Sequence, residues 1–217
     1  MSNKKNTIRS ITARIIYQLY NNGEINKGVL ATLRRTTSMA DKGAEKVWPF
    51  IFDNIATDNK NAQINILSTN GNPTRQENAI YTALHCYAMF QQGIDQTCVY
   101  AASTTRKDEE GSEEKGLTLF SALRMVKNSD SKVAEALDRR VTVLLATTNI
   151  NSAIKSITHL VSMLKGKKLG FKIDFAQLAS DLNVFQISPK TAREIALKWG
   201  RDYYWNTYAL KNQNEEN

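Results

Sequence analysis

The stretch K-V-A-E-A-L-D-R-R-V-T-V-L-L-A-T, residues 132–147, decides the fold. Its apolar residues Val133, Leu137, Val141 and Leu144 recur at three- and four-residue spacing, which gathers them on one face of an α-helix; a half-buried strand would alternate every second residue. Working outward, the same rhythm fills the chain. After it come Ile150 to Lys165, with Ile154, Ile157, Val161 and Leu164 on one face and Gly166 as the terminating residue, then a helix capped by Asp174 that carries Phe175, Leu178 and Leu182. Ser188 followed by Pro189 opens a last helix that is expected to reach about Tyr208. Before it, Leu117 to Lys127 reads as a helix, and Thr74 with Glu77 has capping-box spacing ahead of Ile80, Ala83, Leu84 and Tyr87, in a helix running to about Gln92. Val47, Trp48, Phe50, Ile51 and Ile55 mark a short helix that is apolar nearly all round. Ile25 to Thr37 precedes it, and a first helix with Ile8, Ile11, Ile15 and Leu19 is closed by Gly23. With three prolines in 217 residues and no sustained alternation, the expectation is an all-α protein of about nine helices.

Two segments break this periodicity. Asp58 to Asn72 is polar and reads as a loop. T-T-R-K-D-E-E-G-S-E-E-K-G, residues 104–116, reads as a solvated, mobile acidic connector. The expected organisation is therefore an N-terminal helical domain over 1–105, the connector over 106–116, a C-terminal helical bundle over 117–211 and a disordered tail over 212–217.

Hydrophobic residues make up 41% of the chain, enough for a real core, and Lys plus Arg outnumber Asp plus Glu by 29 to 21. The resulting charge of +8 is shared between the two halves and points to an anionic partner. Cys86 and Cys98 are the only cysteines, too few for a disulfide framework and without zinc-site spacing, which suits a reduced, cytoplasmic setting. No apolar run is long enough for a membrane span and no signal-peptide core is present.

Catalytic chemistry finds no foothold in the sequence. His85 and His159 lie in no metal-binding spacing, and His85 and Cys86, adjacent on a helix, point apart. G-K-K-L-G at 166–170 lacks the phosphate-loop pattern and follows a helix where that loop follows a strand. The carboxylates Asp108, Glu109, Glu110, Glu113 and Glu114 form a solvated run, not a desolvated pair. The chain is expected to be no enzyme, with no cofactor, metal or small-molecule substrate.

Positive charge is the informative feature. Arg34 and Arg35 end G-V-L-A-T-L-R-R, Arg139 and Arg140 follow Leu137 and Asp138, and Arg201 lies in W-G-R-D-Y-Y. The planar guanidinium can clamp a phosphate through two hydrogen bonds, and these arginines flank apolar helix faces that would aim them. The alternative is that they lie along the core edge and pair with acids such as Asp138 or Asp202. Lys27, Arg106, Lys107, Arg124, Lys127, Lys190 and Arg193 would extend such a surface. Trp199, Tyr203, Tyr204 and Trp205 either stack on bases or, at helical spacing, build core. Phe175 to Gly200 also has the rhythm of a helix-turn-helix, with Lys190, Thr191 and Arg193 at the start of its second helix, although Ile195, Leu197, Trp199 and Tyr203 favour burial there.

G-V-L-A-T-L-R-R, the capped helix from Thr74, A-L-D-R-R-V-T-V-L-L, F-K-I-D-F-A-Q-L-A-S-D-L and K-W-G-R-D-Y-Y occur in an order and spacing that resemble the CasB family, the small subunits of the type I-E CRISPR Cascade complex. The resemblance covers about Gly28 to Trp205. It implies two helical bundle domains, assembly with other Cascade subunits beside a second copy of the chain, and basic residues that hold guide RNA and target DNA and stabilise the R-loop. Matched motif by motif, it assigns nucleic-acid contact to Arg34, Arg35, Arg139 and Arg140, then Arg124. Lys127, Lys27, Arg106, Lys107, Arg193 and Arg201 complete the expected set.

Overall fold

The computed structural model describes residues 2–59, 66–102, 105–107, 113–167 and 169–205, the backbone alone for 2–6, 57–59, 105–107 and 113–115. Among them are helices α1 (Ser2–Tyr20), α2 (Lys27–Arg35), α3 (Trp48–Asn59), α4 (Arg75–Gln91), α5 (Leu119–Ser129), α6 (Ser131–Ala146), α7 (Ile150–Lys165), α8 (Phe175–Phe185) and α9 (Pro189–Tyr204). Polar caps at the helix starts account for the boundaries. Thr74 and Glu77 form the expected capping box on α4, and Ser188 forms one with Thr191 ahead of Pro189 on α9. Asn26, Thr118, Asp130, Asn149 and Asp174 each accept a first-turn amide, so tight junctions such as the one between α5 and α6 end one helix and start the next.

At the end of α1 the chain turns through Asn21, Asn22 and Gly23, all at positive φ, where glycine is unstrained and asparagine is tolerated. Gly166 ends α7 with φ −57°, within the right-handed region, so the expected left-handed terminator is absent there.

The all-α expectation holds, with one local exception in the connector. Strand β1 (Thr105–Lys107) pairs antiparallel with β2 (Glu113–Lys115), and the register sets Arg106 opposite Glu114 and Lys107 opposite Glu113. Opposite charges facing each other across two strands favour pairing by about 0.2–1 kcal/mol. The run expected to be an irregular connector therefore contains a short antiparallel strand pair. Residues 108–112 and the expected disordered tail, 212–217, lie outside the described residues, as does the last part of the helix expected to reach Tyr208.

One hydrophobic core runs from Ile8 to Tyr203. Helix α8 joins its two ends: it packs most extensively on α1 and α4, and also on α9. Ten of its eleven residues are buried, so it has no solvent face of any width. Its N-terminus is tied down by Asp174, whose carboxylate accepts from Arg9 at 2.7 Å and from the Ala102 amide at 2.9 Å while capping the helix. The expected division at 106–116 is thus bridged by α8, which belongs to the later half of the chain and packs with the earlier one.

At the other end, α9 wedges Trp199 between Phe120 and Phe185, with ring centroids 5.0 and 5.6 Å away and the planes nearly parallel. Asp181 on α8 accepts from Trp199 Nε1 at 3.0 Å, Lys198 Nζ at 2.6 Å and Gln177 Nε2 at 2.8 Å. W-G-R-D-Y-Y is therefore largely a packing element: Trp199 and Tyr203 are buried, Gly200 lies against Leu145, and Tyr204 and Trp205 emerge at the surface.

Candidate nucleic-acid interface

Neighbouring residues on an α-helix point roughly 100° apart, and this separates each arginine pair. Arg34, at the end of α2, turns inward and donates from Nη1 to the Ala88 carbonyl at 3.4 Å; Arg35 is exposed. On α6, Arg139 is exposed, whereas Arg140 is half-buried with its Nε shut off from solvent and unpartnered among the described residues.

Several other expected contact residues turn out to be engaged with the protein itself, and they share a target. The last four carbonyls of a helix have no intrahelical partner and carry its partial negative charge. Arg34 sits on such a carbonyl of α4, and Lys165 Nζ joins it there, 2.7 Å from the Met89 oxygen and bonded to Gln92 as well. Arg193 donates to the Leu145 carbonyl near the end of α6. Arg124 donates to the Trp205 carbonyl, just past the end of α9, at 2.7 Å. Burial, then the nearby Arg34 charge, lowers the Lys165 pKa. Sequence reasoning missed Lys165; its place at the end of an amphipathic helix is ordinary, and only the packing of α7 on α4 gives it this task.

Lys127 has a different engagement. Its Nζ donates to Asp138 at 2.7 Å and lies 5.2 Å and 5.3 Å from the ring centroids of Tyr203 and Tyr204. Asp138 also accepts from the Tyr203 hydroxyl at 2.9 Å. Desolvation is the largest influence on Asp138 and would raise its pKa, but the hydrogen bonds from Lys127 and Tyr203 prevail and hold it below the usual range. The Tyr203 hydroxyl is pushed up by burial and by that carboxylate.

Four expected residues remain exposed with a side chain that makes neither a hydrogen bond nor an ion pair among the described residues: Lys27 at the start of α2, Arg35 at its end, Arg139 on α6 and Arg201 on α9. Arg201 lines a surface notch with Arg124, Asp202 and Trp205, so α5 and α9 bring two of the predicted arginines together. Asp202 accepts from the Thr118 hydroxyl at 2.7 Å in that notch. Arg106 and Lys107 lie on β1, where the backbone alone is described.

The helix-turn-helix expectation fares differently. Thr191 is occupied in the α9 capping box and Arg193 on a helix end, while Ala192, Ile195, Ala196, Trp199 and Tyr203 are buried. The exposed side of α9 carries Arg193, Glu194, Leu197 and Arg201 beside Lys190.

Burial pushes the thiols of Cys86 and Cys98 up to about 12, far from the thiolate a nucleophile needs. No cluster of three or more metal-ligating side chains occurs among the described residues, and no described helix is long and apolar enough to cross a membrane.

The family model described as CRISPR-associated protein Cse2 matches residues 29–204. A search of solved structures finds CasB from Thermobifida fusca, which is 21% identical to this chain, with 92% of this chain and 97% of that one covered and a TM-score of 0.60. The two chains share a fold. A search of curated proteins returns no match.

Proposed function

The chain belongs to the CRISPR-associated Cse2 family, and from that premise we propose that it serves as a non-catalytic subunit of a Cascade ribonucleoprotein. In this reading it grips the phosphate backbones of guide RNA and target DNA and stabilises the R-loop, in the cytoplasm, beside other Cascade subunits and a second copy of itself. The observation that carries the reading is the set of exposed, unpaired cations, Lys27, Arg35, Arg139 and Arg201, on a rigid helical scaffold with net charge +8. Arginines held ready without a carboxylate partner lose little by binding phosphate, and rigid helices limit the ordering cost. Backbone contacts position a strand without reading its sequence, so guide pairing would supply the specificity. R-loop formation is close to balanced, and a few such contacts are enough to tip it.

The test is Cascade reconstituted with and without the chain, with R-loop formation measured on supercoiled target DNA. Omission should lower R-loop yield, and adding back the Arg35→Ala, Arg139→Ala double variant should restore it only in part. Full restoration by that variant refutes the assignment of these arginines. A preference of the isolated chain for one duplex sequence that survives competitor DNA refutes backbone binding altogether.

A further inference from the structure

We infer that the cleft between α4, α7 and the turn after α2 is a seat for a short single-stranded stretch of nucleic acid, bound through its sugar–phosphate backbone. This rests on the backbone-binding reading and adds a site that the arginine pairs did not indicate. The cleft has a volume of about 700 Å3, within the roughly 300–1,000 Å3 of ligand-sized clefts. Asn78 and Thr82 reach it from successive turns of α4; Asn151, Lys155, Ser156 and His159 reach it from α7. No acidic side chain is among the described residues that line it.

Two observations point to a ligand. Thr82 is only 2% exposed, yet its hydroxyl makes no hydrogen bond among the described residues, not even the bond to the carbonyl four residues back that Thr12, Thr32 and Thr36 make on their helices. The hydroxyl is not sealed from solvent, and the opening that reaches it is the cleft, so an occupant of the cleft can supply the missing partner. The second is charge. Lys155 is exposed and unpaired in the cleft, and exposed Arg35 stands two residues before Thr37 at its edge. The first turn of α7, which has no acidic residue, also borders the cleft and adds the positive end of its dipole. One carboxylate is tied to the lining: Asp41 accepts from the amides of Thr37 and Ser38 and from the Thr37 hydroxyl, so it stays ionised there and offsets part of the positive charge. Lysine, helix end and donor-rich hydroxyl and amide groups match a phosphodiester, and the same hydroxyls and amides can also accept from a sugar hydroxyl.

The experiment uses the full chain and 12-nucleotide fluorescein-labelled DNA and RNA of one sequence, read by fluorescence anisotropy at about 0.1 M salt. Lys155→Glu should weaken binding about tenfold, since losing one phosphate contact is worth about fivefold at this salt and the new charge repels the strand. Thr82→Val should weaken it about two- to fivefold with an unchanged or higher melting temperature, because no internal hydrogen bond is lost. Lys46→Glu, on a turn outside the cleft with the same change in net charge, should stay within twofold. Loss on both strands assigns the shared backbone; loss on RNA alone assigns the ribose hydroxyl, and on DNA alone a deoxyribose strand. If Lys155→Glu and Thr82→Val stay within twofold on both strands, or Lys46→Glu weakens binding as much as Lys155→Glu, the cleft is not the seat. Should Arg139→Ala with Arg201→Ala still weaken binding in that case, backbone binding stands and only the cleft falls. A wild-type chain that binds neither strand overturns both.

Discussion

Arg139 and Lys127 are both basic residues of the α5–α6 region, and the structure assigns them opposite tasks, which replacing each by alanine separates. Arg139 is exposed and engages no other described side chain, so Arg139→Ala should shift stability by no more than about 0.5 kcal/mol. Its loss should appear in binding. For a single strand each phosphate contact contributes about −0.7 to the slope of log K against log salt, so removing one costs about fivefold in affinity at 0.1 M salt and only about twofold at 0.3 M. Lys127→Ala should do the reverse. The Lys127–Asp138 pair is partly exposed, with side-chain accessibilities of 27% and 39%, so solvent screening discounts it. With the cation–π contact to Tyr203 and Tyr204 added, the loss comes to about 1 kcal/mol, or about 2–4 °C in melting temperature for a chain of this size. The assays are anisotropy titrations on a labelled single strand at three salt concentrations and thermal unfolding followed by circular dichroism. The reasoning fails if Arg139→Ala leaves the salt slope unchanged, or if Lys127→Ala flattens it as much as Arg139→Ala does.

Three further outcomes follow from the packing. Asp181→Ala would leave Trp199 Nε1 buried without an acceptor and Lys198 without its partner; urea denaturation should show a loss of about 3 kcal/mol, most of it from the orphaned indole because Lys198 is 40% exposed. Gly116→Ala would drive its Cβ into the carbonyls of Ala101 and Tyr100, both backbone, and calorimetry should record about 1–3 kcal/mol of destabilisation. The Thr37 and Ser38 amides hold the Asp41 carboxyl below its ordinary value, so its contribution is fully present above the unfolded pKa and is lost as pH falls through the folded one. In acid titrations between pH 5 and 2, Asp41→Asn should therefore be less stable at pH 5 and converge with the parent chain towards pH 2; equal stability at pH 5 would sink the point.

What the sequence disclosed and what it hid divide along the range of the interaction. Helix starts were legible because their signals are local: Thr74 lies three residues from the Glu77 amide that it caps, and Ser188 is followed by Pro189 at the first helical position. Faces were legible because helical spacing is local, and the burial of Trp199 and Tyr203 follows from it. The strand pair was hidden because it sets Arg106 and Lys107 opposite Glu114 and Glu113, whereas composition registers only polarity. The cleft lined by Thr82 and Lys155 was hidden too, since it exists only once α7 lies beside α4. The fate of each arginine was least legible of all. Arg34 and Arg35 are neighbours in sequence, and which of them meets protein depends on where α4 ends.

That last point changes how the charge of this chain should be read. A net charge of +8 invites the inference that every clustered basic residue serves an anionic partner. Yet Arg34, Arg124, Lys165 and Arg193 all reach across the fold to carbonyls at helix C-terminal ends. Each such end carries about half a negative charge, so a cation seated on it is partly neutralised and fixed by a hydrogen bond that a phosphate would have to displace. An all-α fold of nine described helices creates many such ends, and cations recruited from a distance are one way to satisfy them. The anion-binding capacity of the surface is accordingly smaller than the formal charge, and it is concentrated where a basic side chain has no carbonyl or carboxylate as a hydrogen-bond partner among the described residues. Arg35, Arg139 and Arg201 meet that condition in the described structure, each one step along its helix from a residue turned towards the protein: Arg34 and Asp202, which bond within it, and half-buried Arg140. Adjacency in sequence that looks like reinforcement is, on a helix, a division of labour between the core edge and the solvent.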